Sequence, residues 1–204
     1  MRGKWIVFEG LDGAGTTTQT NLLADRLVGR LGSRRRVHKT AEPTRGAFGR
    51  ICRAALRDKL PFDPVSLALG FTADRADHLY RPGGALDRLN RGCWVVMDRY
   101  LYSTLAYQDG VNREWLMNIN AVFPRPDLTV FLDVPPEICL ARLRERGKEA
   151  QIFENAENLR RIAESYRWVI RVEKKKSPFL VLDGTLPVEE IGERVFERLK
   201  KWLP

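Results

Sequence analysis

The sequence predicts a three-layer α/β domain built on a parallel sheet of five strands. Five short apolar runs alternate along the chain with segments of helical periodicity, and a glycine-rich turn follows the first run. Apolar runs without polar alternation are typical of strands that are covered on both faces, as in parallel sheets. Strands that alternate with helices predict right-handed crossovers, which place helices on both faces of the sheet.

The predicted strands are short runs that are rich in β-branched and aromatic residues. In chain order they are Trp5–Phe8, Val37–Thr40, Cys93–Met97, Leu128–Leu132 and Phe179–Leu182. The first helix is predicted from three leucines spaced four residues apart, Leu23, Leu27 and Leu31.

Two further helices are predicted later in the chain. Pro135 and Pro136, followed by the acidic Glu137, are typical of a helix N-terminus. The amphipathic stretch that follows runs through Ile138 and stops at Gly147, where glycine ends a helix readily. A last amphipathic helix is predicted over Val188–Leu203.

The composition indicates one globular domain over residues 1–204. The chain is 44% hydrophobic and 30% charged, which allows a sizeable core, and its net charge of +9 suggests an acidic partner. No apolar run is long enough for a membrane helix, and Glu9 interrupts the N-terminal run too early for a signal peptide. Three cysteines and two histidines predict neither a disulfide framework nor a zinc site. We therefore expect a cytoplasmic protein.

The turn after the first strand is a candidate phosphate-binding loop. In such loops, backbone N–H groups and the helix dipole attract phosphate. The template G-x-x-x-x-G-K-[ST] is matched at Gly10, at Gly15 and at Thr17, whose hydroxyl would bind Mg²⁺, but Thr16 replaces the lysine. Alone, this pattern also fits a tight strand-to-helix connection.

The whole chain closely resembles the thymidylate kinases. Besides the loop, four segments match that family in order: Glu42-Pro43-Thr44, Phe71-Thr72-Ala73-Asp74-Arg75, Asp98-Arg99-Tyr100 leading to Ala106-Tyr107-Gln108, and Leu132-Asp133-Val134-Pro135-Pro136-Glu137. The resemblance implies the P-loop nucleoside-monophosphate kinase fold with a lid at about 142–154. It also implies transfer of the γ-phosphoryl group of ATP to dTMP with Mg²⁺, and a homodimer.

The resemblance also implies roles for individual residues. The donor ATP would be held by the loop residues Gly10, Leu11, Asp12, Gly13, Ala14, Gly15, Thr16, Thr17 and Thr18. Thr17 and Asp98 would hold the metal. The substrate would contact Glu42, Pro43, Arg45, Phe71, Arg75, Arg99, Ser103, Thr104, Tyr107 and Gln108. Phe71 would stack on thymine, and Tyr107 would exclude a ribose 2′-hydroxyl. Catalysis would depend on Asp12, Asp98, Arg99, Arg142 and Arg146.

The sequence departs from the family in three places. Thr16 replaces the loop lysine, Ala41 stands where many members have arginine, and Ile152 occupies a position of the lid where an arginine is expected. Arg142 and Arg146 are four residues apart and would share a helix face toward the donor phosphates, whereas Arg144 would face solvent.

Three alternatives remain open from the sequence. The first is a related deoxynucleoside or nucleoside-monophosphate kinase. The second is a nucleotide-binding protein with impaired catalysis, which the change at Thr16 suggests. The third is a nucleic-acid binder, which rests on the net charge alone; we expect no nucleic acid and no membrane among the partners.

Overall fold

The computed structural model describes residues 2–57, 60–145 and 156–203. Within these ranges the chain forms one five-stranded sheet and nine α-helices. The strands are β1 (Trp5–Gly10), β2 (Val37–Ala41), β3 (Trp94–Asp98), β4 (Leu128–Asp133) and β5 (Phe179–Asp183). The helices are α1 (Thr16–Leu31), α2 (Ala47–Leu56), α3 (Pro64–Tyr80), α4 (Ala85–Asn90), α5 (Leu101–Tyr107), α6 (Arg113–Asn120), α7 (Pro136–Glu145), α8 (Ala156–Glu173) and α9 (Val188–Leu199).

The sheet is entirely parallel, in the order β2-β3-β1-β4-β5, which confirms the predicted fold class. β1 lies at the centre, where Ile6 pairs with Val96 of β3 and with Leu128 of β4. All six residues of β1 are buried, because helices cover both of its faces. Helices α1 and α9 pack together on one face, and α5 and α8 pack together on the other.

All five predicted strands are present, with ends that shift by one or two residues. The third strand begins at Trp94, because Cys93 N–H donates to the Arg88 carbonyl in the preceding turn. The first helix buries Leu23, Leu27 and Leu31, as predicted.

Two helices differ from the sequence prediction. The last α-helix ends at Leu199 and is followed by a 3₁₀ turn at Lys200–Trp202. In α7 the buried residues are Cys139 and Leu143, whereas Ile138 is 37% exposed. The direction of packing against the phosphate loop, rather than the apolar character of Ile138, decides which face of α7 is buried.

In the described ranges, no helix is both long and apolar enough to cross a membrane. The three cysteines, Cys52, Cys93 and Cys139, are free thiols.

Gly49 sets how closely α2 approaches the segment that follows β2. A Cβ atom at Gly49 would lie 2.1 Å from the backbone carbonyl oxygen of Thr44, so any larger residue would push the helix away. Gly29, in the exposed part of α1, offers a comparison, because an added Cβ there would meet no atom within 4 Å.

We predict opposite effects of alanine at these two helical glycines. Gly49→Ala should lower the free energy of unfolding by about 1–3 kcal/mol, since the backbone must move to relieve the clash. Gly29→Ala should raise it by about 0.5–1 kcal/mol, because alanine has the higher helix propensity. Urea denaturation of both variants measures the difference, and equal effects would contradict the close approach of α2.

Candidate active site

The loop between β1 and α1 contains two glycines with a left-handed backbone. Gly15 caps α1 in a left-handed conformation with φ at 97°, and no side chain caps the first N–H groups of the helix. Gly13 also has a positive φ of 88°, and a Cβ atom there would lie 2.5 Å from the Cys139 carbonyl oxygen of α7. The uncapped N–H groups and the helix dipole make this loop suitable for phosphate.

The side chain at the lysine position of the loop template points into the protein. Thr16 is only 5% exposed, and its Cγ2 methyl packs near Gly10. Thr16 therefore contributes its backbone to the loop and brings no positive charge to it.

Thr17 and Asp98 form a pair of oxygen ligands beside the loop. The Thr17 hydroxyl donates to Asp98 Oδ2 at 2.5 Å, which joins the start of α1 to the end of β3. The other carboxylate oxygen, Asp98 Oδ1, is buried and has no hydrogen-bond partner among the described residues. Hydroxyl and carboxylate oxygens suit Mg²⁺, which completes its shell with water and substrate phosphates. The residues present therefore fit this metal.

A cleft of about 270 Å³, which we call the central cleft, opens beside this pair at the carboxyl ends of β1, β2 and β3. It brings together all but one of the predicted substrate residues. Its lining includes Glu42, Pro43, Phe71, Arg75, Arg99, Ser103, Thr104, Tyr107 and Gln108, together with Asp12, Thr17 and Asp98.

Arg75 is the most completely buried charge in the central cleft, at 1% exposure. Its guanidinium donates to three side chains: Glu42 at 2.9 Å, Asn120 at 2.5 Å and Thr104 at 2.9 Å. The second oxygen of the Glu42 carboxylate lies 3.1 Å from His78 Nδ1. One carboxylate oxygen of Glu42 thus pairs with Arg75 and the other with His78. Glu42 is thereby fixed in place and holds the Arg75 guanidinium in one orientation.

Arg99 also lines the central cleft and lies directly after β3. Its backbone is left-handed, with φ at 67°, which is uncommon for a residue other than glycine. Its guanidinium donates to Asp12 at 2.7 Å and to Ser103 at 3.1 Å, and it lies 5.0 Å from the centre of the Tyr107 ring. Asp12 is thus paired with Arg99.

Glu9 lies beneath Arg99 at the end of β1 and is fully buried. Burial raises the pKa of its carboxyl from 4.5 to about 7, against the opposing effects of hydrogen bonds from Ser103, Tyr166 and Tyr100 and of the Arg99 charge. A carboxyl group with a pKa of about 7 is therefore buried behind Arg99, outside the lining of the central cleft.

Comparison with known proteins identifies the family of this chain. A family model for thymidylate kinase matches residues 8–195. A probable thymidylate kinase of Sulfolobus acidocaldarius is 33% identical over 200 residues, which cover 97% of each chain. A probable thymidylate kinase of Pyrococcus abyssi is 35% identical, over 98% of this chain and 97% of the relative. A putative thymidylate kinase of Treponema pallidum is 31% identical, over 97% and 95%.

The chain belongs to the thymidylate kinase family. The resemblance in the sequence is therefore confirmed, and it extends over nearly the whole chain.

Two arginines in the central cleft of this family member were missed in the sequence. Arg53 and Arg57 lie one turn apart on or just after α2, and both line the cleft. The guanidinium of Arg53 donates to the carbonyl oxygens of Pro43 and Thr44, which fixes it at the cleft wall. In the sequence, only the spacing of four residues between Arg53 and Arg57 indicated that the two share a helix face. The fold is needed to show that this face of α2 lines the same cleft as Arg99.

Arg45 is the one predicted substrate residue that does not line the central cleft. It is exposed and lines a neighbouring cleft along β2, which it shares with Lys39, Arg53 and Arg81. Arg53, not Arg45, therefore faces both clefts.

Arg142 lies on the other side of the phosphate loop. Together with Gly15 and Thr18 it lines a cleft of about 440 Å³, and both of its terminal nitrogens donate to the Gly184 carbonyl oxygen at 3.2 Å. Arg144 is exposed, as predicted. Arg146 and the lid residues beyond it, up to 154, lie outside the described residues.

Glu9 makes the stability of the protein depend on pH in a direction opposite to that of an ordinary paired acid. Between about pH 4.5 and 7 the unfolded chain has released the Glu9 proton while the folded protein retains it. Stability from this group is therefore fully present below pH 4.5 and is lost as the pH rises through about 7. The change amounts to about 3 kcal/mol.

We predict that Glu9→Gln removes this dependence. Urea denaturation of the wild type and the variant from pH 4.5 to 8 should show the wild type losing about 3 kcal/mol relative to the variant as the pH rises. Glu173→Gln is the matched control. Although burial opposes it, hydrogen bonds from Arg125 and Lys176 hold the pKa of Glu173 below its usual value, so its contribution is lost as the pH falls. A stability difference for Glu9→Gln that is constant with pH would show that Glu9 does not titrate in this range.

Proposed function

We propose that this member of the thymidylate kinase family transfers the γ-phosphoryl group of ATP to dTMP, forming dTDP and ADP. The observation that carries the proposal is the central cleft itself. Its lining includes the buried arginine Arg75, and also Arg99 and the oxygen pair of Thr17 and Asp98.

The nucleoside end of the cleft recognises an uncharged base. Phe71 offers a half-buried ring for stacking, and Arg75, held by Glu42, Asn120 and Thr104, lines the same cleft, where we place the edge of the base. Tyr107 is 8% exposed and forms the wall on which the C2′ position of the sugar would pack. A ring packed against C2′ would exclude a 2′-hydroxyl sterically, so we expect selectivity for the deoxy sugar.

The phosphate end of the cleft supplies positive charge without a general base. The acceptor phosphate has a second pKa near about 6 and is largely dianionic at neutral pH, so it is already a nucleophile. Arg99 and Arg53 are placed to neutralise and orient it. One of its oxygens forms a bond to the γ-phosphorus of ATP, while the bond from that phosphorus to the β–γ bridging oxygen breaks and the electron pair leaves with ADP.

The donor would be held by the loop residues from Gly10 to Thr18, where the first N–H groups of α1 have no side-chain cap and would face the phosphates. Thr17 and Asp98 would hold Mg²⁺, which when bound neutralises charge on the transferring phosphoryl group. Arg142 closes the donor side of the loop, and we propose that Arg146 in the lid acts with it. Three free thiols support a reducing compartment, which fits a cytoplasmic reaction.

Release of ADP with a panel of acceptors tests the proposed function. We expect turnover with Mg-ATP and dTMP, much weaker turnover with dCMP and dGMP, and none with thymidine. Activity on thymidine would favour a deoxynucleoside kinase. Nucleotide binding without transfer to any acceptor would instead favour a binding protein.

Arg53→Ala should lower kcat/KM for dTMP by about 10- to 100-fold, because one charge-assisted hydrogen bond to phosphate contributes about 1.5–3 kcal/mol. Arg50→Ala is the control, since Arg50 lies on the same helix, is exposed and does not line the cleft. Steady-state kinetics of both variants decide whether Arg53 contacts the acceptor phosphate. Equal kinetics would remove Arg53 from the site.

We predict that the protein is active despite Thr16. The loop backbone and the helix dipole do not depend on the side chain at that position, so the deficit is one ammonium group. A lid arginine can supply more than this, since such residues contribute about 10³- to 10⁵-fold. Arg142→Ala and Arg146→Ala should each lower kcat by at least about 100-fold, whereas Thr16→Lys should raise it modestly or leave it unchanged. Near-full activity of both alanine variants would place the compensating charge elsewhere.

We also propose that the protein is a homodimer that pairs through the apolar face of α2 and α3. Phe48, Ile51, Val65 and Leu69 are 45–47% exposed on these two adjacent helices. Leu69→Asp should halve the mass observed by sedimentation velocity, because a buried charge opposes association. Val181→Asp, at a residue on β5 that is 50% exposed, should leave the mass unchanged. A monomeric wild type would contradict the proposal.

A further inference from the structure

Glu9 has no direct access to a substrate in the central cleft. It is fully buried and does not line the cleft, whereas its neighbours Arg99 and Ser103 do. Any effect of Glu9 on the reaction must therefore pass through other residues.

The Glu9 carboxylate accepts hydrogen bonds from four donors, all on the two elements that surround Arg99. Its Oε1 accepts from the backbone N–H groups of Tyr100 at 2.9 Å and Ser103 at 3.2 Å. Its Oε2 accepts from the hydroxyls of Ser103 at 2.6 Å and Tyr166 at 2.8 Å. Glu9 thus joins the start of α5 to the middle of α8.

The two hydroxyls that bond to Glu9 are also acceptors for Arg99. Nη1 of Arg99 lies 3.1 Å from Ser103 Oγ and 3.4 Å from the Tyr166 hydroxyl. Because Glu9 draws the hydroxyl protons toward itself, the oxygen lone pairs face the guanidinium. The same carboxylate anchors the backbone immediately after Arg99, whose left-handed φ of 67° needs support from its surroundings.

We propose that Glu9 is a positioning residue that fixes the Arg99 guanidinium for the acceptor phosphate through the Ser103 and Tyr166 hydroxyls. The inference rests on the proposed function, since it assigns the ligand of Arg99 as the phosphate of dTMP. Glu9→Gln keeps the size of the side chain but places an amide donor against the two hydroxyls. Their protons must then turn away from residue 9, and the lone pairs no longer face Arg99.

A double-mutant cycle on dTMP binding tests the proposal. Isothermal titration with dTMP at pH 8, where Glu9 is mostly ionised because its pKa is about 7, compares the wild type, Glu9→Gln, Arg99→Ala and the double variant. We expect Glu9→Gln to weaken dTMP binding at least 10-fold in the wild-type background and less than 2-fold in the Arg99→Ala background. The affinity for ADP should change less than 2-fold. An equal loss of dTMP affinity in both backgrounds, or an equal loss for ADP, would overturn the proposal, because a general structural defect gives that result.

Tyr166→Phe provides an independent arm that keeps ring packing against Phe131 and removes only the hydroxyl. It should raise KM for dTMP and leave KM for ATP unchanged. Tyr102→Phe is the matched control, because it removes another buried tyrosine hydroxyl, bonded to Ser177 and without a hydrogen bond to Arg99. If Glu9→Gln fails to fold, the double-mutant cycle is made with Tyr166→Phe and Arg99→Ala. Equal changes of KM for dTMP in Tyr166→Phe and Tyr102→Phe would overturn the proposal. A wild type that binds no dTMP would refute the proposed function itself, whereas additive cycles with normal wild-type binding refute only the role of Glu9.

Discussion

Parallel pairing of β1 with β3 and β4 is the constraint on which the rest of the site depends. In a parallel sheet, the carboxyl ends of all strands meet at one edge. The phosphate loop leaves β1 there, Asp98 and Arg99 leave β3, and Glu42 follows β2. The sheet therefore gathers residues that are far apart in the sequence without any need for long connecting loops.

Two arginines of the central cleft are held in place by their hydrogen-bond partners. A guanidinium removed from water is costly unless its N–H groups are bonded and its charge is balanced. Arg75 meets both conditions through Glu42, Asn120 and Thr104, and Arg99 meets them through Asp12 and Ser103. Each arginine is thus oriented before a substrate arrives, which lowers the entropy lost on binding.

The features that could be predicted from the sequence are those that depend on short-range sequence patterns. The five strands follow from local apolar runs, and the loop follows from glycine spacing between β1 and α1. The same reasoning could not find Arg53, Asn120, His78 or Tyr166, because each reaches the site through packing between elements that are distant in the chain. Glu9 was visible only as an acid that interrupts an apolar run, and its environment depends on α5 and α8 closing over β1.

The left-handed backbone at residue 99 favours a residue other than arginine, whereas the contacts made in the site require the arginine side chain. Glycine or asparagine occupies this conformation more readily than arginine, so a sequence selected for stability alone would place one of them here. The chain instead carries the residue whose guanidinium spans Asp12, Ser103 and Tyr166. Under the role proposed for Arg99, position 99 is a point where stability and activity select different residues, so substitutions there that make the fold more stable would lower turnover.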